Sequence, residues 1–328
     1  MNKDLNAPIL SAERAAMWFP VRGGLGKTTG YVKAVDGVSV QLHARQTYGL
    51  VGESGCGKST LGRLLCRLLE PTDGRITLFG QDISHLKERE LVPFRSRIQM
   101  VFQDPYTSLN PRIRIGDALM EVLAIHHTGS RSEQMEKALG ILDQVGLRQE
   151  HFYRFPHEFS GGQRQRIGLA RALILNPEIV LCDEPVSALD VSIQSQIINL
   201  LCDLQAERSL TYLFISHDMS VIRYISDRVG VMYLGHLVEE SDTEEIFSHP
   251  AHPYTRMLLS AVPSIVPGDK TDRIRLQGDP PSPLDPPKGC VFHTRCPYAK
   301  KECGEKSPEL SELAQGHYCA CPIAAAGN

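Results

Sequence analysis

The chain has 328 residues, 42% of them hydrophobic and 22% charged, a profile that excludes a disordered chain and a small disulfide-stapled scaffold. A formal charge of -3 excludes a global positive field for holding nucleic acid or an anionic membrane surface. The length implies two or three domains.

In chain order, the first twenty residues carry Asp4, Glu13 and Arg14 and lack a long apolar core, so no signal peptide is expected. No window approaches 18 consecutive apolar residues, so no spanning helix is expected either. Residues 34–51 read as strand, break, strand. GESGCGKST then leads into LGRLLCRLLE, whose Leu61, Leu64, Leu65, Leu68 and Leu69 fit one helical face. PTDG at 71–74 is turn chemistry, and RITLF (75–79) and RIQMVFQ (97–103) read as strands. Residues 104 to about 160 change to helical periodicity at 115–126 and 132–146, a helical insertion. Beyond it come a helix at 161–175 with a basic stripe, a buried strand at 178–184 and an amphipathic helix at 191–208. Strands follow at 210–216 and 228–235, with a helix at 218–226 between them. Such alternation implies a mainly parallel, helix-covered sheet. Seven prolines between 263 and 289 suit an extended linker. Beyond it lie five of the nine cysteines, Cys290, Cys296, Cys303, Cys319 and Cys321. In a reducing compartment such a cluster serves metals or iron-sulfur centres more often than disulfides.

Gly52, Glu53, Ser54, Gly55, Cys56, Gly57, Lys58 and Ser59 form the pattern G-x4-G-K-S between an apolar strand and a helix, the context that a phosphate-binding loop requires. Its glycines let backbone N–H groups turn onto phosphate oxygens at a helix N-terminus, and Thr60 continues the binding stretch. Lys58 is expected at the β- and γ-phosphates and the Ser59 hydroxyl on Mg2+. Asp183 and Glu184 end an apolar strand, where ligands of open α/β sheets sit. Asp183 is expected to hold Mg2+, and Glu184 to take a proton from attacking water.

With Gln103, FSGGQ at 159–163, SALD at 187–190 and His217 in order around these, the chain resembles the ATP-binding subunits of ABC transporters from about residue 15 to 262. The resemblance implies an α/β P-loop ATPase domain over 8–262 with a helical subdomain inserted at about 104–175, the proline-rich linker 263–289 and a cysteine-rich extension 290–328. It further implies head-to-tail pairing of two such domains. Ser160, Gly161, Gly162 and Gln163 of one would then cap the γ-phosphate held by the other, and Asp190 would link the two sites. A glycine pair opening a helix otherwise lacks a purpose, both being poor helix formers. Gln103 matches the glutamine that senses Mg2+ and couples to the permease, and His217 the histidine that contacts the γ-phosphate. Phe19, with Trp18 beside it, matches the aromatic that stacks on adenine.

VGESGCGKST, QDPYTSLNPR (103–112), DEPVSALDVS (183–192) and HPAHPYT (249–255) resemble the dipeptide and oligopeptide importer ATPases, most closely the second ATPase of those systems. The implied partners are a sister ATPase in a heterodimer, two permeases and a periplasmic or lipid-anchored peptide-binding protein, at the cytoplasmic face of the inner membrane. Other small solutes (an opine, a metal chelate, glutathione) are the alternative cargo. A nucleic-acid or ribosome ATPase of the superfamily would carry a long coiled coil, a second ATPase domain or a basic face, and the sequence has none of them. A regulatory, non-catalytic subunit is disfavoured by Glu184.

The spacing of Cys290, Cys296, Cys303 and Cys321 lacks the C-x2-C knuckles of zinc ribbons. GCVFHTRCPYAKKEC followed by GHYCAC resembles the C-terminal extension of peptide-importer ATPases, for which a [4Fe-4S] cluster is the implied ligand. In that family the last cysteine falls four residues after the position of His317, which selects Cys321 over the additional Cys319. Zinc, or free and partly buried thiols, are the alternatives. Arg295, Lys300 and Lys301 lie between the ligands, where they would offset the charge of a thiolate-bound cluster.

Overall fold

The computed structural model describes residues 7–24, 27–104, 109–262 and 278–325. Residues 263–277 of the expected linker and 105–108 of the stretch 103–112 lie outside the described residues. The chain divides into two compact units, Met1–His85 with Ser216–Asn328, and Leu86–Ile215.

The first unit opens with β1 (Leu10–Arg22), β2 (Thr28–Leu42), β3 (Thr47–Val51), α1 (Lys58–Leu65), β4 (Asp73–Leu78) and β5 (Gln81–Asp82). The second holds α2 (Glu88–Arg95), β6 (Ile98–Val101), α3 (Ile115–Ile125), α4 (Arg131–Gln144), α5 (Gly161–Leu173), β7 (Ile179–Asp183), α6 (Val191–Arg208) and β8 (Thr211–Ser216), the last residue of β8 counting with the first unit. The chain returns to the first unit with α7 (Met219–Ile225), β9 (Arg228–Tyr233), β10 (His236–Asp242), α8 (Thr243–Ser248) and α9 (Pro253–Ser260). It finishes with β11 (Ser311–Ala314), β12 (His317–Cys319) and α10 (Pro322–Ala325).

In the second unit β6, β7 and β8 run parallel, with Ile98 opposite Ile179 and Cys182 opposite Phe214. Every residue of β7 and β8 is buried. Strands covered on both faces read as continuous apolar runs, which is how the sequence presents them. Helix α4 starts where Ser130 forms a capping box with Glu133, each satisfying the other's backbone N–H.

In the first unit β3 and β9 are parallel, as expected. Beside them stands an antiparallel sheet, in the order β2-β1-β4-β5, that the sequence reading did not anticipate. Its signal is broken: β1 shifts register against β2 between Ala12 and Ala15 and against β4 between Glu13 and Ala16, and Arg14 has φ 48. Such bulges interrupt the two-residue alternation that marks a strand. Helix α1 is also shorter than the leucine pattern suggests. The chain turns left-handed at Arg67 (φ 53), whose buried guanidinium donates to the carbonyls of Ile83 at 2.7 Å and Leu69 at 3.0 Å. Leu68 therefore lies off the helix and exposed.

The cysteine-rich extension adds strands to the first unit. β12 pairs antiparallel with β10, Cys319 opposite Glu239, and β11 pairs with β12. Glu239 is fully buried there. Its carboxylate accepts the Ala251 N–H (2.7 Å) and the His252 N–H (2.8 Å), and lies 2.8 Å from His317 Nε2. Among the described residues no helix is long and apolar enough to cross a membrane.

Candidate functional site

All five residues of β3 are buried, and the strand delivers the chain to Gly52. Gly57 caps α1 at φ 107, and a Cβ there would stand 2.0 Å from the Ala34 carbonyl oxygen. Only glycine permits that backbone and that approach. Ser54 and Gly55 at the crown are exposed, Cys56 is buried, and Ser59 and Thr60 open the first helical turn. Burial pushes the Cys56 thiol pKa up. Lys58 is also buried, its Nζ donating to the carbonyls of Gly52 at 2.6 Å and Glu53 at 3.0 Å. The lysine charge is thus stored on the loop itself, among backbone oxygens that a phosphate oxygen can replace.

Two partners of this loop escaped the sequence reading. The Glu53 N–H donates to Tyr254 Oη at 2.8 Å, and the Glu53 carboxylate receives both Nη groups of Arg295, at 2.7 and 3.1 Å. Arg295 was expected to offset charge among the cysteines; its guanidinium is bound to the phosphate loop instead. Tyr254 lies in HPYT, which carried family likeness in the sequence but no role.

On β1, Trp18 is engaged: its Nε1–H donates to Asp36 Oδ1 at 3.1 Å, and Lys33 Nζ lies 4.7 Å from its ring centroid. Phe19 stands exposed beside the half-buried Trp18. His217 follows β8, is exposed, and precedes α7, which Asp218 caps by accepting the Ser220 N–H at 2.8 Å.

In the second unit the parallel pairing of β6 and β7 puts their C-terminal ends side by side. Gln103 follows one end and Asp183-Glu184 the other, so Gln103 Nε2 donates to Glu184 Oε2 at 2.9 Å. Asp183 is buried. Glu184 has φ 45, its N–H donating to the Ile215 carbonyl at 3.0 Å. A bulky residue in this left-handed region stores strain, a cost often found at functional carboxylates.

Ser160 caps α5. Its Oγ accepts the Gln163 N–H at 3.4 Å, and Gln163 Oε1 accepts the Ser160 N–H at 3.1 Å. The two glycines after it differ. A Cβ on Gly162 would stand 2.5 Å from Ile193 Cγ2, so α5–α6 packing requires that glycine, which thus has a structural purpose contrary to expectation. On Gly161 a Cβ would meet only Leu189 Cδ2 at 3.4 Å, an ordinary contact. Asp190, at the N-cap of α6, is exposed and makes no capping hydrogen bond.

Among the C-terminal thiols, Cys290 is raised in pKa by burial and then by the charges of Cys321 and Cys303. Cys296 is pushed up to about 11 by burial and then by Cys321, Cys290 and Cys303. Cys319 belongs to β12, where burial and Glu239 dominate its raised pKa. Four soft sulfur donors match a [4Fe-4S] cluster in kind and number. Among the described residues, however, no three or more His, Cys, Asp or Glu side chains, these cysteines included, are grouped so that they could hold a metal ion.

Residues 35–187 match the family described as ABC transporter, and residues 238–303 the family described as oligopeptide/dipeptide transporter, C-terminal region. The chain is 55% identical to the oligopeptide transport ATP-binding protein AppF of Bacillus subtilis, over 96% of this chain and 97% of that protein. It is 50% identical to the dipeptide transport ATP-binding protein DppF of Haemophilus influenzae, again over 96% and 97%. Among solved structures it is similar to the ATP-binding cassette MJ0796 in a dimeric post-hydrolysis state bound to ADP and Pi. There the TM-score is 0.65 and the identity 27%, covering 71% of this chain and 98% of that one. It is also similar to cbiO1 of Clostridium perfringens, part of an ABC transporter complex, with TM-score 0.64 and 25% identity over 74% and 92%.

Proposed function

Because the chain belongs to the ATP-binding subunits of the oligopeptide and dipeptide ABC transporters, we propose that it hydrolyses ATP to drive peptide uptake through partner permeases. The observation that carries the ATPase reading is the phosphate loop, with Lys58 buried and held by the Gly52 and Glu53 carbonyls. An arriving β- or γ-phosphate exchanges those carbonyls for stronger charge-assisted bonds to the same ammonium. Ser59, Gln103 and Asp183 would hold Mg2+, which neutralises charge on the phosphates. Glu184, oriented by Gln103, takes the proton from attacking water, and His217 contacts the γ-phosphate. Phosphoryl transfer asks little more of a protein than positioning and charge stabilisation.

The dimeric state of the MJ0796 cassette supports a paired arrangement in which Ser160, Gly161, Gly162 and Gln163 of one subunit close over the nucleotide of another, with Asp190 linking the two sites. Gly161, which packing leaves room to replace, supports a close approach by a ligand at that helix start. Phe19 stacks on adenine. The subunit works at the cytoplasmic face of the membrane, beside a second ATPase in a heterodimer, two permeases and a periplasmic or lipid-anchored peptide-binding protein. A cavity of about 260 Å³ in the second unit, lined in part by Phe102, Val122, Ile125 and Leu175, supports a permease seat next to Gln103. Residues 8–262 are the ATPase cassette, 263–289 a linker and 290–328 an extension in which Cys290, Cys296, Cys303 and Cys321 bind a [4Fe-4S] cluster.

The relatives' names favour peptides over opines, metal chelates or glutathione as cargo. The test is reconstitution of the chain with its co-purifying permeases and binding protein in vesicles. ATP hydrolysis coupled to uptake of di- or oligopeptides is expected. Absence of ATP hydrolysis overturns the ATPase reading, and uptake of a non-peptide solute alone overturns the cargo.

A further inference from the structure

The first unit ties its phosphate loop to its C-terminal extension through one ion pair. Glu53 is the second residue of the loop, and an unpaired carboxylate there would repel the triphosphate that the loop must admit. Arg295 meets it with two N–H···O bonds, one to each carboxylate oxygen, and only 5% of the arginine side chain and 24% of the glutamate side chain remain exposed. The guanidinium is itself positioned: Nη1 lies 3.3 Å from Tyr233 Oη, and the group sits 5.9 Å from the Tyr233 ring centroid. Tyr233, Tyr254 and Phe292 form a mutual aromatic cluster with centroid separations of 4.7, 5.2 and 5.4 Å. Phe292 comes from the extension and is fully buried, and Tyr254 also binds the Glu53 N–H. The loop's entry is therefore held at both its backbone and its side chain, and the side-chain hold comes from a residue adjacent to Cys296.

We infer that Arg295 is a positioning residue for ATP binding, which neutralises and aims Glu53 so that the phosphate loop is pre-organised by the cysteine-bearing extension. This rests on the ATPase reading and goes beyond it, because the extension then acts on nucleotide affinity and is more than an appended ligand-binding tail. Removing one partner of a buried pair leaves an uncompensated charge. In this case that charge would sit beside the phosphates.

The test is ATP affinity, by titration calorimetry on the full-length chain with Mg2+, for wild type, Arg295→Ala, Arg295→Lys, Glu53→Gln and the double variant Arg295→Ala with Glu53→Gln. Arg295→Ala is expected to weaken ATP binding by about tenfold, the scale of one charge-assisted bond, and Arg295→Lys to recover part of the loss. In the Glu53→Gln background Arg295→Ala should cost little more. A folded Arg295→Ala protein with wild-type affinity overturns the inference, as does an undiminished Arg295→Ala effect in the Glu53→Gln background. If Arg295→Ala does not fold, hydrogen exchange of the amides at 52–57 is compared among wild type, Arg295→Lys and Glu53→Gln. Faster exchange in the variants supports the inference and unchanged exchange overturns it. Wild type that binds no ATP would instead overturn the ATPase reading.

Discussion

The side-chain amide of Gln103 donates to Glu184 Oε2 at 2.9 Å, joining the residue that follows β6 to the strained carboxylate that follows β7. One oxygen of the carboxylate is occupied, and the group is turned into a fixed orientation. Glu184→Gln is expected to lower turnover by about 10²–10⁴-fold, the usual range for a general base, while ATP stays bound. Single-turnover hydrolysis with separate measurement of bound nucleotide checks this, and an unchanged rate removes the base assignment.

The two glycines that open α5 should separate in experiment. Gly162→Ala pushes a Cβ to 2.5 Å from Ile193 Cγ2, and overpacking of this kind costs about 1–3 kcal/mol. Its thermal midpoint should fall. Gly161→Ala meets only an ordinary contact and should fold like wild type yet fail in ATP-dependent pairing. Size-exclusion chromatography with ATP in the Glu184→Gln background reads that difference. Normal pairing by Gly161→Ala would remove the phosphate-capping role.

Two histidines of the first unit set opposite limits on stability with pH. The hydrogen bond to Glu239 raises the pKa of His317. Its contribution is fully present below about pH 6.5, the unfolded value, and is lost as pH rises through the raised folded value. Burial lowers His252 to about 4, and its Nδ1 accepts the Tyr254 N–H. That contribution is present above about pH 6.5 and is lost as pH falls toward 4. Unfolding midpoints across this range should fall on both sides, and His317→Gln should flatten the alkaline side. An alkaline side unchanged in His317→Gln would show that the pair contributes nothing.

Protein purified without oxygen should be brown and carry about four iron atoms with labile sulfide per chain. Cys290→Ser, Cys296→Ser, Cys303→Ser or Cys321→Ser should lower both, and Cys319→Ser should leave them. A colourless protein with stoichiometric zinc would sink the cluster.

The parts of this molecule that are legible in the sequence are the local ones. The phosphate loop, Asp183-Glu184 and Ser160-Gly161-Gly162 are contiguous motifs whose residue types state their chemistry, and β7 and β8 are plain apolar runs. The bonds of Glu53 to Tyr254 and Arg295 span 201 and 242 positions, and no periodicity reports a contact of that range. β1 was hidden for a different reason, since its bulges and Arg14 break the alternation. Only the family likeness selects Cys321 over Cys319 in the sequence, and the strand pairing that puts Cys319 opposite Glu239 has no local signal there.

The pairing of β12 with β10 also covers an edge of the sheet. Without it, β10 would present a row of unpaired backbone donors and acceptors, a template for adding strands from other molecules. Glu239 would at the same time lose its His317 partner. A chain that stops at residue 289 should therefore self-associate through that bare strand even with its nucleotide motifs intact, so the extension protects the ATPase from aggregation whatever its thiols bind.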